Sequence, residues 1–465
     1  MHLNELTRTA IAIVTGALAV IFDTTIVSVA LHDLAADLHA PLSTIQWVST
    51  AYLLALFVTI PVAGWAQSRI GGKRLWLIAL STFLAGSVAC AFAGNAATLI
   101  GFRVLQGIGG GIMLPLMSTL LMQAAHGRNL GRVMSVISLP AALGPILGPV
   151  IGGMILSSAD WRWLFLINVP LGAIGLACAV RLLPAGERGR RARLDVPGML
   201  LISPGVVAVI FGLTNVSRAG GWHRTDVLVP VVAGLALIAA FAVHAVRTPH
   251  APLIDVQLLR HRPLTSAASL LFLTGAALYG ATLLLPLFWQ QVRGTDALGA
   301  GLMLIPQGVG TLLSRSLAGR LTDRIGGRYV ALTGFAIVGV ALLPFATATA
   351  STPRPLLLAA LLVNGIGLGA VTIPLMSVAY QGLERAEVPH ASIITRIAQQ
   401  VGGSFGVAVS AVILQHALTT GSVAGAFDQA FRWTIGFTAA AVALSFLLPG
   451  APEVTEPEPV LAVAK

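Results

Sequence analysis

The sequence predicts an all-helical integral membrane protein of fourteen spans, arranged as two six-helix halves with two helices inserted between them. Three observations carry that prediction. Of 465 residues, 56% are hydrophobic and only 10% charged, a balance that a water-facing surface does not tolerate. Apolar runs of about 20 residues, the length needed to cross a bilayer as an internally hydrogen-bonded helix, recur along the chain. Two segments of the first part reappear in the last part at nearly one offset.

The runs fall at 10–32, 45–66, 75–94, 98–121, 133–157, 163–183, 196–216, 227–246, 265–289, 298–318, 330–349, 355–379, 393–417 and 432–449. Span one is long enough to cross and holds Asp23, so it does not read as a cleavable signal. Span two carries Gln46, Trp47, Tyr52 and Pro61. Span four contains Arg103 and Gln106, and span five reads GPILGPVIGG. The polar, basic stretch PAGERGRRAR from Pro184 is the natural linker. Spans seven and eight follow it, and the last six spans complete the bundle. Beyond Pro449 the Pro- and Glu-rich tail is expected to be disordered. The resulting division is 1–183, 184–262, 263–449 and a tail at 450–465.

An even number of spans puts both termini on one side. That side collects twenty of the 28 Lys and Arg, the other side six, and Arg103 and Arg315 lie within spans. The positive-inside rule then makes both termini cytoplasmic. The net charge of +11 is read as this topology signal rather than as a nucleic-acid surface. Cys90 and Cys178 lie in apolar runs and are read as small hydrophobes, with no metal site or cofactor expected. No catalytic loop is recognisable, and the GIGGG at Gly107 lacks the Lys-Ser/Thr of a nucleotide-binding loop, so an enzyme is not expected and energy should come from an ion gradient.

The repeat sets the plan. The loop GWAQSRIGGKR from Gly64 matches GRLTDRIGGR from Gly319, an offset of 255, and QGIGGGIMLPLMS from Gln106 matches NGIGLGAVTIPLMS from Asn364, an offset of 258. Equivalent features are thus eight spans apart, which leaves two extra helices between six-helix halves. Duplicated helical halves around a midplane cavity are the architecture of secondary transporters.

Asp23 is the carboxylate well inside a predicted span, where a charge costs roughly 2.5–3.5 kcal/mol. Desolvation favours the protonated form of a carboxyl, so such a group can exchange a proton or bind a cation. Arg103 is an equally costly charge, and its repeat equivalent is Leu361. The fold therefore does not require it, and a guanidinium near Asp23 would favour the carboxylate. A proton-coupling role is expected for the two together.

With FDTTIVSVAL from Phe22, RVLQG from Arg103 and the Gly- and Pro-rich span five, the chain resembles the major facilitator superfamily, and specifically its fourteen-span drug:proton antiporter-2 family. The resemblance implies a major facilitator fold in a bacterial cytoplasmic (inner) membrane. It further implies proton-driven export of small amphipathic organic compounds, with a monomer expected; the alternatives are a dedicated exporter of a single endogenous metabolite or self-made antibiotic and, behind it, a non-transporting membrane receptor. It identifies Gly144, Pro145, Gly148, Pro149, Gly152 and Gly153 as the antiporter motif. It also assigns a cytoplasmic gate to Arg69, Lys73, Arg74, Asp323, Arg324 and Arg328. Ser68 stands where the first loop copy normally has an acid. The segment WRWLFLINVPLG from Trp161 and the segment ASIITRIAQQVGGSFG from Ala391 are similar to family segments, with Gln399 where an Arg is common and Arg396 one turn earlier. Arg396 and Arg315 are read as snorkelling to the nearer interface. Candidate substrate-cavity residues are Gln46, Tyr52, Gln106, Tyr279, Gln290, Gln307, Asn364 and Tyr380, each with helix packing as the competing reading.

Overall fold

A computed structural model describes residues 5–40, 42–125, 144, 148, 151–156, 158–184, 195–219, 224–248, 252–295, 297–384, 387–420 and 422–449. Among these there is no strand. The first half comprises α1 (Glu5–Ile26), α2 (Leu31–Asp37), α3 (Leu42–Thr59), α4 (Val62–Ile70), α5 (Gly72–Ala91), α6 (Ala96–Ala125), α7 (Trp163–Leu166) and α8 (Asn168–Leu182). Next come α9 (Val196–Ala219) and α10 (Thr225–Arg247). The second half comprises α11 (Arg262–Gln291), α12 (Ala297–Met303), α13 (Ile305–Ile325), α14 (Gly327–Leu342), α15 (Arg354–Ala379), α16 (Val388–Thr420) and α17 (Val423–Ser445). Span five at 133–157 lies mostly outside the described residues, as do the linker at 185–194 and the tail from 450.

Ten described helices are long and apolar enough to cross a membrane, and one bent pair adds an eleventh. The bent pair covers the run expected as span two, at 45–66. Its parts, Trp47–Thr59 and Val62–Ile70, meet at 57°. Pro61 stands at the break, where it removes a backbone donor and its ring crowds the preceding turn. Helices α13 and α17, with 21 and 23 residues, are also long enough. Their composition is less apolar because α13 carries Arg315, Arg320, Asp323 and Arg324, and α17 carries Asp428 and Arg432.

The two repeat copies have matching backbones. Helix α4 stops at Gly71 (φ 88°, ψ 147°) and α13 stops at Gly326 (φ 88°, ψ 155°), 255 residues later. Each following helix begins at the next residue. A side chain at this φ would be strained, which is why both copies retain glycine there. The second repeat matches as closely. Gly107 of α6 lies against the Tyr52 carbonyl of α3, and Gly365 of α15, 258 residues on, lies against the Gln307 carbonyl of α13, 255 residues on from Tyr52. A Cβ at either position would overlap that carbonyl, so these glycines set the distance between paired helices.

The core is distributed unevenly along the bundle axis. At the end where α1 begins, one hydrophobic cluster joins both halves, with Ala12, Leu116 and Leu121 from the first and Leu264, Val378 and Ile393 from the second. Ser392 Oγ donates to the Pro115 carbonyl across this seam at 3.1 Å. At the opposite end the cores are separate among the described residues. One gathers Ile26, Cys90, Trp161 and Phe165; the other gathers Phe288, Phe345, Phe427 and Phe431. Among the described residues the halves therefore share a core at the first end and have separate cores at the second. Helix α9 touches both, through Ser203 Oγ donating to the Val58 carbonyl at 3.0 Å and through Val209 and Val216 packing with Ala408.

Candidate functional site

The centre of the first half is built from four helices. Asp23 sits near the end of α1, just before the helix gives way to a 3-10 turn over Val27–Ala30. Arg103 and Gln106 are three residues apart on α6 and so share one face. Ser87 comes from α5, and Asn168 is the first residue of α8.

These side chains form one buried polar network. Arg103 Nη1 donates to Asp23 Oδ2 at 2.5 Å and to Gln106 Oε1 at 2.6 Å. Gln106 Nε2 and Asn168 Nδ2 donate to Asp23 Oδ1 at 2.9 and 3.0 Å. Gln106 Nε2 also reaches Ser87 Oγ at 2.6 Å. Arg103 Nε donates to the Val48 carbonyl at 3.1 Å, and its guanidinium lies 4.0 Å from the centre of the Tyr52 ring. Asp23 and Arg103 are 0% and 1% exposed. Three donors around the carboxylate and a charge-assisted pair offset the desolvation that two buried charges incur. The Arg103 equivalent Leu361 is fully buried in the apolar core of the second half.

The structure thus brings the two expected charges together and adds partners that sequence reading missed. Asn168 stands inside the WRWLFLINVPLG segment, which marked the region without marking the residue. Ser87 is a small polar residue in an apolar helix and has no local signature. Trp161 in that segment is buried, its Nε1 donating to Asp37 Oδ2 at 2.8 Å, whereas Trp163 is exposed and suits an interfacial position.

The remaining predicted residues fall in several environments. Gly144 packs against Ile21, two residues from Asp23, and Gly148 and Gly152 are buried, whereas Gly153 is exposed with open space around it. Pro145 and Pro149 lie outside the described residues. Of the loop residues, Lys73 donates to the Val180 and Leu183 carbonyls at 2.7 and 2.8 Å, so its ammonium caps the end of α8 within its own half. Arg69 lies near the Trp65 ring, and Arg328 near that of Phe446. Arg74, Asp323 and Arg324 are exposed.

Among the cavity candidates, Gln106 and Tyr52 are fully buried around Arg103. Asn364 is buried too, accepting from Gln307 Nε2 at 2.9 Å. Gln290 is exposed at the far end of α11, away from the middle of the bundle. Tyr380 is buried at the end of α15, where the halves meet. Tyr279 keeps accessible surface in the middle of α11, at 38%, and Gln307 is half-buried in the first turn of α13. The side chain of Gln46 lies outside the described residues. Arg315 is buried rather than extended to an interface, because it sits in the middle of α13.

The comparisons with known proteins agree with this architecture. A family model described as Major Facilitator Superfamily matches residues 13–407 and 300–460. The chain is 37% identical to the Multidrug resistance protein B homolog of Mycobacterium tuberculosis over 88% of this chain and 76% of that protein. It is 32% identical to the Methylenomycin A resistance protein of Streptomyces coelicolor over 87% and 84%. Among solved structures it resembles the proton:xylose symporter XylE, with a TM-score of 0.66, 15% identity, and coverage of 96% of each chain. The human organic anion transporter MFSD10 is similar in fold, with a TM-score of 0.65 and 17% identity over 95% and 99%. The chain is a multi-pass membrane transporter that belongs to the Major Facilitator Superfamily.

Proposed function

We propose that this protein exports small amphipathic organic compounds in exchange for protons, as a fourteen-span drug:proton antiporter-2 transporter of a bacterial inner membrane with both termini in the cytoplasm. The 6+2+6 plan, with halves at 1–183 and 263–449 and α9 and α10 inserted, is part of this reading. The observation that carries it is the buried Asp23–Arg103 pair, a titratable group held by a counter-ion in one half and replaced by Leu361 in the other. The names of the multidrug and methylenomycin resistance relatives support a drug-like substrate.

In this reading the end of the bundle with the shared core faces the cytoplasm and the end with separate cores faces outward. Protonation of Asp23 removes the charge that holds Arg103. The guanidinium then keeps Gln106, the Val48 carbonyl and the Tyr52 and Phe165 rings. Because α1, α5, α6 and α8 all contribute to the network, its rearrangement alters how the first half packs and biases the bundle toward its other orientation. Loss of the proton restores the pair.

The test is transport of a panel of fluorescent drugs into inside-out proteoliposomes under an imposed pH gradient, with wild type and Asp23→Asn side by side. Wild type should accumulate at least one compound only while the gradient lasts. Gradient-driven accumulation by Asp23→Asn at the wild-type rate would sink the coupling assignment.

A further inference from the structure

The Asp23–Arg103 pair has an electrostatic consequence for the substrate. Asp23 is spent on Arg103 and is fully buried, so it offers no negative charge to a passing molecule. Asp323 lies in the last turn of α13 and Asp428 in the first turns of α17, at the two ends of the bundle. The other acids of the described helices are terminal or in the short α2: Glu5 opens α1, Asp226 is the second residue of α10, and Asp33 and Asp37 belong to α2.

A cation remains at depth. Arg396 lies on α16 one turn from Ser392, whose hydroxyl bonds the Pro115 carbonyl at the seam between the halves. It is therefore placed just above the end with the shared core, on the side toward the separate cores. Its side chain is half-buried and makes no ion pair with a described acid. The Tyr279 and Tyr380 phenols are near enough to interact with it electrostatically. Tyr279 is held against α16 because Gly403 leaves room for its ring: a Cβ there would lie 2.6 Å from Tyr279 Cδ2. Arg396 thus presents a guanidinium on the helix against which Tyr279 packs, one turn from the seam and in the half that lacks the Asp23 network.

We propose that Arg396 is an anion-binding subsite, at which a carboxylate, sulfonate or phenolate oxygen of an aromatic transported compound is held while the accessible ring of Tyr279 contacts its aromatic part. A guanidinium suits this role because its donors form a planar fork that matches a carboxylate, and its face and the Tyr279 ring accept flat aromatic surface. The substrate class that follows is aromatic organic anions in preference to lipophilic cations. This inference rests on the transporter reading above and narrows its substrate.

Equilibrium binding to the full-length protein in detergent, without any gradient, tests it separately from proton coupling. The probes are fluorescein, which carries a carboxylate and a phenolate, and its uncharged dialkylated ester-ether. Wild type should bind fluorescein at least tenfold more tightly than the neutral derivative. Arg396→Gln should remove that preference while changing affinity for the neutral derivative less than twofold, and Arg396→Lys should keep at least a threefold preference. Equal affinity of wild type for the two probes, binding of neither, or an equal loss of both in Arg396→Gln would overturn the subsite. A failure of gradient-driven transport with the binding preference intact would instead count against the antiport reading alone.

Discussion

Arg103 Nη1 lies 2.5 Å from Asp23 Oδ2, with the two residues 80 positions apart in sequence and neither open to solvent. Each charge is tolerable only because of the other. Removing one leaves its partner buried and uncompensated, which is the costly case for an ion pair in a low-dielectric interior.

Arg103→Leu should therefore destabilise the protein by about 3–5 kcal/mol, read as a lower thermal transition in detergent. The double variant Asp23→Asn with Arg103→Leu should recover much of that loss, because no unpaired charge remains. Stability losses that simply add would show that the pair is not energetically coupled.

Asn168 donates to both Asp23 and Ser87 from the first turn of α8. Asn168→Leu keeps the approximate volume and removes the donor, and should cost about 1–3 kcal/mol, the usual penalty for leaving a buried polar partner unsatisfied. An unchanged melting temperature would place the residue outside the network.

Close helix approach in the two repeats should be equally intolerant of a side chain. Gly107→Val and Gly365→Val each put new atoms into a neighbouring carbonyl, whereas Gly153→Val meets open space. The first two should abolish the monodisperse folded peak in size-exclusion chromatography of the solubilised protein. The third should leave that peak unchanged.

Asp195, at the start of α9, supplies a pH-dependent contribution. Burial disfavours its charge, but the Gly198 N–H at 2.9 Å, His244 Nε2 at 2.8 Å and the Leu253 N–H at 3.2 Å outweigh this and hold the carboxyl below the ordinary aspartate range. A depressed folded value stabilises the protein above the unfolded value of about 3.9. That contribution is lost as pH falls through the folded value. Asp195→Asn should lower the melting temperature at pH 7, and the gap to wild type should close as the pH is taken below about 4. A gap independent of pH would assign the effect to packing.

Much of the fold is written locally. Apolar runs report which segments can cross a bilayer, because each segment must satisfy its own backbone there. The repeat adds long-range information, because two copies that fold alike must place equivalent glycines alike. Gly71 and Gly326 share one backbone conformation, and Gly107 and Gly365 face equivalent carbonyls. The bend in span two was not legible at Pro61, because a proline in an apolar run is compatible with either a mild kink or a full break. Neighbouring helices decide between them.

The site was only half legible. Asp23 and Arg103 could be singled out from sequence because a charge in an apolar run is costly wherever it sits. Their meeting, and the choice of Ser87 and Asn168 as further partners, was decided by the tertiary structure alone. Small polar residues are inexpensive to place in many positions, and only the packing of α1, α5, α6 and α8 selects which of them face the carboxylate. The same holds for Arg396, which sequence position alone would send to an interface. The packing of Tyr279 against the same helix depends on Gly403 admitting a ring from α11, a distance that no pattern along one chain segment encodes.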